Sequence, residues 1–106
     1  MVTITIQQHC PQWCERTHHP EDPPESRFHE QIIVDFPAVV GRRSERSEAP
    51  VGVAEELIVR RVRYFDTPQT WLIIEEAEDA ARHLILSLDA AASLSAALET
   101  VTRDHS

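Results

Sequence analysis

Two cysteines and three histidines stand close together near the start of the chain: Cys10, Cys14, the adjacent pair His18 and His19, and His29. Two thiolates and two imidazoles form a donor set that suits tetrahedral zinc. With His18 or His19 as third donor, the spacing reads C-x3-C-x3-H-x10-H in its His18 form. One regular helix cannot deliver that set, because a residue eight positions after Cys10 would lie about 12 Å farther along the axis at ~1.5 Å per residue. The chain must turn after Cys14, and Pro20, Pro23 and Pro24 permit it to do so. A closed four-donor site would anchor residues 9–29, which are too rich in proline and charge for extended regular structure. The same residues also admit a loop of solvated thiols and imidazoles, or a local Cys10–Cys14 disulfide in an oxidising compartment. A catalytic zinc would need an open position and a nearby base, for which Glu15 is the one candidate. Trp13, between the cysteines, reads as a shield packed over the loop or the core.

Composition sets the frame for this cluster. The chain has 106 residues, 42% of them hydrophobic, which fits a single domain over 1–106 with a thin margin of stability. Its formal charge of −8 arises from 18 acidic against 10 basic residues, and every basic residue is Arg. Such a surface repels phosphate backbones, so nucleic acid is a disfavoured partner. There is no long apolar span, and Met1 to Gln8 lacks the basic start and apolar run of a signal peptide, so a cytoplasmic, reducing location is expected. No P-loop, G-x-S-x-G, H-E-x-x-H or dinucleotide fingerprint occurs, and two glycines leave little scope for phosphate-cradling loops.

The elements that must position the cluster follow from periodicity. Val2, Ile4 and Ile6 alternate with threonine as in a half-buried strand. From Glu30 to Phe36 a second strand is expected, with Ile32, Val34 and Phe36 on one face, Ile33 on the other and Pro37 at its end. Residues 41–52 carry arginines, acids, serines and Pro50 with little to bury, which predicts a mobile loop. Glu56 to Phe65 and Trp71 to Ile74, separated by Asp66-Thr67-Pro68-Gln69, form a β-hairpin. Leu84, Leu86 and Leu88 alternate with His83, Ile85 and Ser87 as in a further strand. A terminal helix over 89–103 is expected, capped by Asp89 and carrying Leu94, Leu98 and Val101 on one stripe. The economical architecture is α+β: a small, mostly antiparallel sheet of four to five strands, one face covered by the C-terminal helix, with an N-terminal zinc-clasped loop.

The block Cys10-Pro11-Gln12-Trp13-Cys14 followed by His18, with a later histidine, several strands and an Ala/Leu-rich terminal helix, resembles a family of small actinobacterial domains of unknown function that open with C-P-x-W-C-x3-H. The resemblance implies His18 as third donor and His29 as fourth, with Thr17 where that family usually has Asp. It implies a layout and no reaction. The function expected is a non-enzymatic, structural-zinc module for protein interaction or regulation, with a protein partner or self-association. The alternatives are a DNA-associated regulator, using Arg42, Arg43 and Arg46 with Arg60, Arg61 and Arg63, and a small zinc hydrolase. The acids Glu75, Glu76, Glu78 and Asp79 read as a solvated turn, and His83 as a surface residue.

Overall fold

A computed structural model describes residues 10–105. The strand expected over Val2 to Ile6 lies outside them. After a short 3-10 turn at Pro24–Ser26, the chain forms β1 (Phe28–Ser44), β2 (Ser47–Tyr64), β3 (Trp71–Glu76), β4 (Asp79–Ser87) and the helix α1 (Leu88–His105). The strands pair in chain order as one open antiparallel meander, an α+β architecture. No described helix is long and apolar enough to cross a membrane.

β1 and β2 are far longer than their sequences advertise. Residues 41–52 are hairpin rather than loop, for the ladder runs to Ser44↔Ser47 around a two-residue turn, Glu45 and Arg46. The Asn-Gly or Asp-Gly pair that marks tight hairpins is absent, and no described residue has a positive φ, so the usual signal for this turn does not exist here. Pro37 does not end the strand either, since it pairs with Glu56. β1 is an edge strand, where a missing N–H is tolerated if it faces outward. The only two glycines, Gly41 and Gly52, oppose each other near the tip. A Cβ on either would come 3.0 Å from a side-chain atom, of Pro50 or Val39 respectively.

A bulge at Ile33 decides which side chains share a face. Ile32 pairs with Arg60 but Val34 pairs with Val59, so Ile32 and Val34 point to opposite sides, contrary to simple alternation. One face then carries an unbroken apolar row across all four strands, Val34–Val59–Ile74–Leu84, flanked by Phe36, Leu57, Leu72 and Leu86. The other face interleaves Ile32, Ile58, Ile73 and Ile85 with charge: Arg60 donates to Glu30 at 2.7 Å and to Glu75 at 3.0 Å. On the apolar face, Arg42 reaches across β2 to grip both carboxylate oxygens of Glu76 and also pairs with Glu55, tying the outer hairpin to β3.

α1 begins one residue earlier than expected. Its cap is Ser87, whose Oγ accepts the Ala90 N–H at 3.1 Å, and Asp89 instead lies within the first turn, where its charge suits the helix dipole. The helix meets chiefly the neighbouring β4 and β3. It does not cover a sheet face: Leu84 and Ile85 point to opposite sides of β4 and are 49% and 48% exposed. Val62 is the single buried apolar side chain among the described residues.

Because Ile33 is the unpaired extra residue, deleting it leaves Val34 and Phe36 opposite Val59 and Leu57. Deleting Ala38 either turns every later β1 side chain to the wrong face or, if the bulge closes, moves Asp35 onto the apolar face and Phe36 off it. Thermal melts followed by circular dichroism are expected to show a cooperative transition for the Ile33 deletion and its loss for the Ala38 deletion.

Candidate metal centre

The Cys/His segment is built by local turns and then fastened to the free edge of β1. Cys14 N–H donates to the Pro11 carbonyl at 3.0 Å, closing a tight turn that swings the two cysteines together. Glu15 then docks: its N–H donates to the Glu30 carbonyl at 2.8 Å, and its Oε1 accepts the Ile32 N–H at 3.1 Å. The segment thereby acts as a one-residue extension of the sheet beside His29. Beyond it, His19 and Asp22 close a second turn through both backbone and side chain. Arg16 and Arg27 donate to the carbonyls of Ser26 and Asp22, returning the chain to β1.

These turns bring Cys10, Cys14, His18 and His29 together, with one potential ligand atom from each lying within 4.8 Å of all the others. Zinc–sulfur and zinc–nitrogen bonds of about 2.3 and 2.0–2.1 Å give tetrahedral edges of roughly 3.3–3.8 Å. The Cys14 Sγ to His18 Nε2 separation, 3.4 Å, already falls in that range. The four residues could therefore hold a metal ion with a contraction of about 1 Å at the widest pair. No disulfide joins Cys10 and Cys14. Of the adjacent histidines it is His18 that enters the group, while His19 is exposed and spends its backbone on the Asp22 turn.

Burial across the group is graded, from exposed Cys10 through half-buried Cys14 and His18 to buried His29, and arginines stand close by. His29 is 3% exposed, and its Nδ1 and that of His18 are buried without a hydrogen-bond partner. A buried nitrogen without a partner is costly; a metal held by His29 Nδ1 would relieve one of these two, whereas His18 faces Cys14 through Nε2, so its Nδ1 would stay unpaired. Trp13 packs edge-on to His29 and accepts the Arg61 guanidinium over its face at 4.4 Å, so it shields the group from outside. Phe65 meets both histidine rings, edge-on to His18 at 5.0 Å and tilted against His29 at 4.8 Å. Sequence spacing gave no warning of Phe65. Its position follows from its N–H bond to the Arg27 carbonyl at the end of the hairpin. Burial pushes both imidazoles below their ordinary pKa, helped by Arg16 at His18, and by His18 and Arg63 at His29. Burial and the neighbouring Cys14 raise the Cys10 thiol, against the opposing pull of Arg63.

The other candidate residues are engaged elsewhere. Arg61 and Arg63 share the face that bears His29, and Arg60 points to the opposite face. Arg42 and Arg60 are each held between two carboxylates, Glu55 and Glu76 for Arg42, Glu30 and Glu75 for Arg60. Arg61 donates to Gln31 at 2.8 Å. Glu75, Glu76 and Asp79 all sit in ion pairs, and His83 contacts the Ala80 carbonyl through Nδ1. Comparison with protein families, with curated proteins and with solved structures finds no match to this chain.

Two outcomes follow from the chemistry of the group. Because ligands bind as thiolate and neutral imidazole, and burial already favours neutral imidazoles, zinc binding at neutral pH is expected to release roughly two protons, both from sulfur. Calorimetry in buffers of different ionisation enthalpy reads that number. In the metal-free chain the folded state binds fewer protons than the unfolded one below the ordinary histidine pKa of about 6.5. Stability is therefore expected to fall as pH drops from there through the lower folded values. Melting temperatures taken with chelator between about pH 7 and about pH 5 test this, and His29→Gln should flatten the dependence.

Proposed function

We propose that the chain is a zinc-stabilised protein-binding module and that Cys10, Cys14, His18 and His29 are the ligands of a structural zinc ion. The observation that carries this reading is the convergence of four soft-to-borderline donors, one atom from each within 4.8 Å of the others. Two thiolates with two imidazoles balance the charge of a divalent ion and match zinc in geometry. Bound there, zinc would lock the N-terminal segment onto β1 and supply folding free energy that the sparse interior lacks. The similarity of Cys10-Pro11-Gln12-Trp13-Cys14 and His18 to the opening of the actinobacterial domains supports the same ligand set.

A structural role is favoured over a hydrolytic one. Four protein donors fill a tetrahedral shell and leave no position for an activated water. Glu15, the nearest candidate base in sequence, has an oxygen committed to the Ile32 N–H. The sheet, in contrast, offers binding surface: Val34, Phe36 and Leu84 lie 39–49% exposed on its apolar face. A DNA-binding role draws no support from Arg42 and Arg60, whose charges are matched by carboxylates.

Elemental analysis of the purified protein is expected to give one zinc per chain. Cys10→Ser, Cys14→Ser and His18→Ala should each weaken zinc by more than ~100-fold and lower the melting temperature, since a direct ligand matters more than its outer partners. His19→Ala should do neither. A metal-free parent as stable as its cysteine variants overturns the proposal.

A further inference from the structure

A single chain of this shape has almost no interior. Val62 is its one buried apolar side chain among the described residues, whereas twelve large apolar residues are exposed. The accessible surface is 7921 Å², against about 6,000 Å² for a compact monomer of this mass. The radius of gyration is 17.5 Å, where a compact chain of this length has about 13 Å. The excess area is roughly 1,900 Å², more than twice the ~800 Å² that each partner buries in a standard interface and within reach of obligate homodimers.

We propose that the apolar sheet face is the interface of an obligate homodimer, each copy supplying the core that the other lacks. This deepens, and rests on, the protein-binding reading above by naming the partner as a second copy of the chain. The row Val34–Val59–Ile74–Leu84 is uncharged across all four strands, so a net charge of −8 does not place like charges against each other at its centre. At its margin Arg42 bridges Glu76 and Glu55, which leaves one net negative charge there, while Arg61 and Arg63 stand on the same face toward the other end of β2. The chain also carries a complementary surface: Leu98 and Val101 on the α1 stripe are 54% and 65% exposed. A helix stripe and a sheet face that find no partner within one chain are apolar surfaces that two copies can bury together. Covering surface is needed for folding itself, and another copy is the one partner present whenever the chain is made.

Sedimentation equilibrium of the full zinc-loaded chain over about 1–100 µM is expected to give twice the 12.1 kDa chain mass. Its melting temperature should rise with concentration. Leu84→Lys places a charge on the proposed interface and should weaken association at least tenfold, or leave an unfolded chain. Ile85→Lys, equally exposed on the opposite face, should remain a dimer with the parent's melt. A parent that is monomeric, with a cooperative, concentration-independent melt, overturns the dimer. So does equal behaviour of the Leu84 and Ile85 variants. If that monomer keeps its zinc, the protein-binding reading stands with a different partner; a dimer without zinc supports the interface and removes the metal instead.

Discussion

The ladder between β1 and β2 governs the rest of the molecule. It opens with Phe28↔Tyr64 and His29↔Arg63, shifts by one residue at Ile33, and then runs out to the hairpin tip. The opening pairs place His29 and Arg63 on one face beside the edge where Glu15 docks, and so determine where four ligand donors can meet. The shift returns Val34 and Phe36 to that same face, in line with Val59 and Leu57. Without the bulge, the apolar residues of outer β1 would be turned toward Arg60 and its carboxylates, and their burial would compete with charge solvation. One extra residue thus keeps Val34 and Phe36 in line with Val59 and Leu57 and off the face of Arg60, Glu30 and Glu75.

Charge is distributed to match that division. An acidic chain needs its few cations at the places where carboxylates crowd, and Arg42 and Arg60 each bridge two of them across neighbouring strands. The arginines near the Cys/His group have another role. Arg61 lies over Trp13 and Arg16 over Phe28, covering the aromatic wall, while Arg63 favours thiolate at Cys10 and neutral imidazole at His29. At His29 this acts with burial toward the neutral imidazole that a metal requires, whereas at Cys10 burial and Cys14 outweigh Arg63 and favour the thiol. The fold is strong in local pairing and weak in enclosure, with a single buried apolar side chain among the described residues.

Much of this was legible because it depends on short-range chemistry. Trp71 to Ile74, the strand around Leu84 and the terminal helix announce themselves through periodicity and turn residues. The Cys/His cluster is readable because the chain has only two cysteines and six histidines, and four of those histidines lie in its first 29 residues. The hairpin beyond Pro37 was hidden because its residues, Arg42, Arg43, Ser44, Glu45 and Arg46 among them, bury little, and alternation cannot be seen where neither face is apolar. Proline and charge ordinarily mark loops, yet at the edge of a sheet both are tolerated, since the outward backbone groups meet water. Asp89 was a plausible cap, but the strand ends one residue sooner and Ser87 reaches the orphan N–H first.

By itself the sequence determined the donor types, the antiparallel α+β class, the amphipathic terminal helix and an acidic surface that repels polyanions. All of these follow from residue identity and nearest-neighbour spacing. The choice of His18 over His19, the shielding by Phe65, the opposite facing of Ile32 and Val34, and the uncovered sheet were decided only by tertiary structure. Each depends on contacts between distant residues and on one register shift, whose effects on side-chain direction are all-or-none. Adjacent histidines look alike in sequence, and only the path of the turns between Cys14 and β1 aims one ring inward.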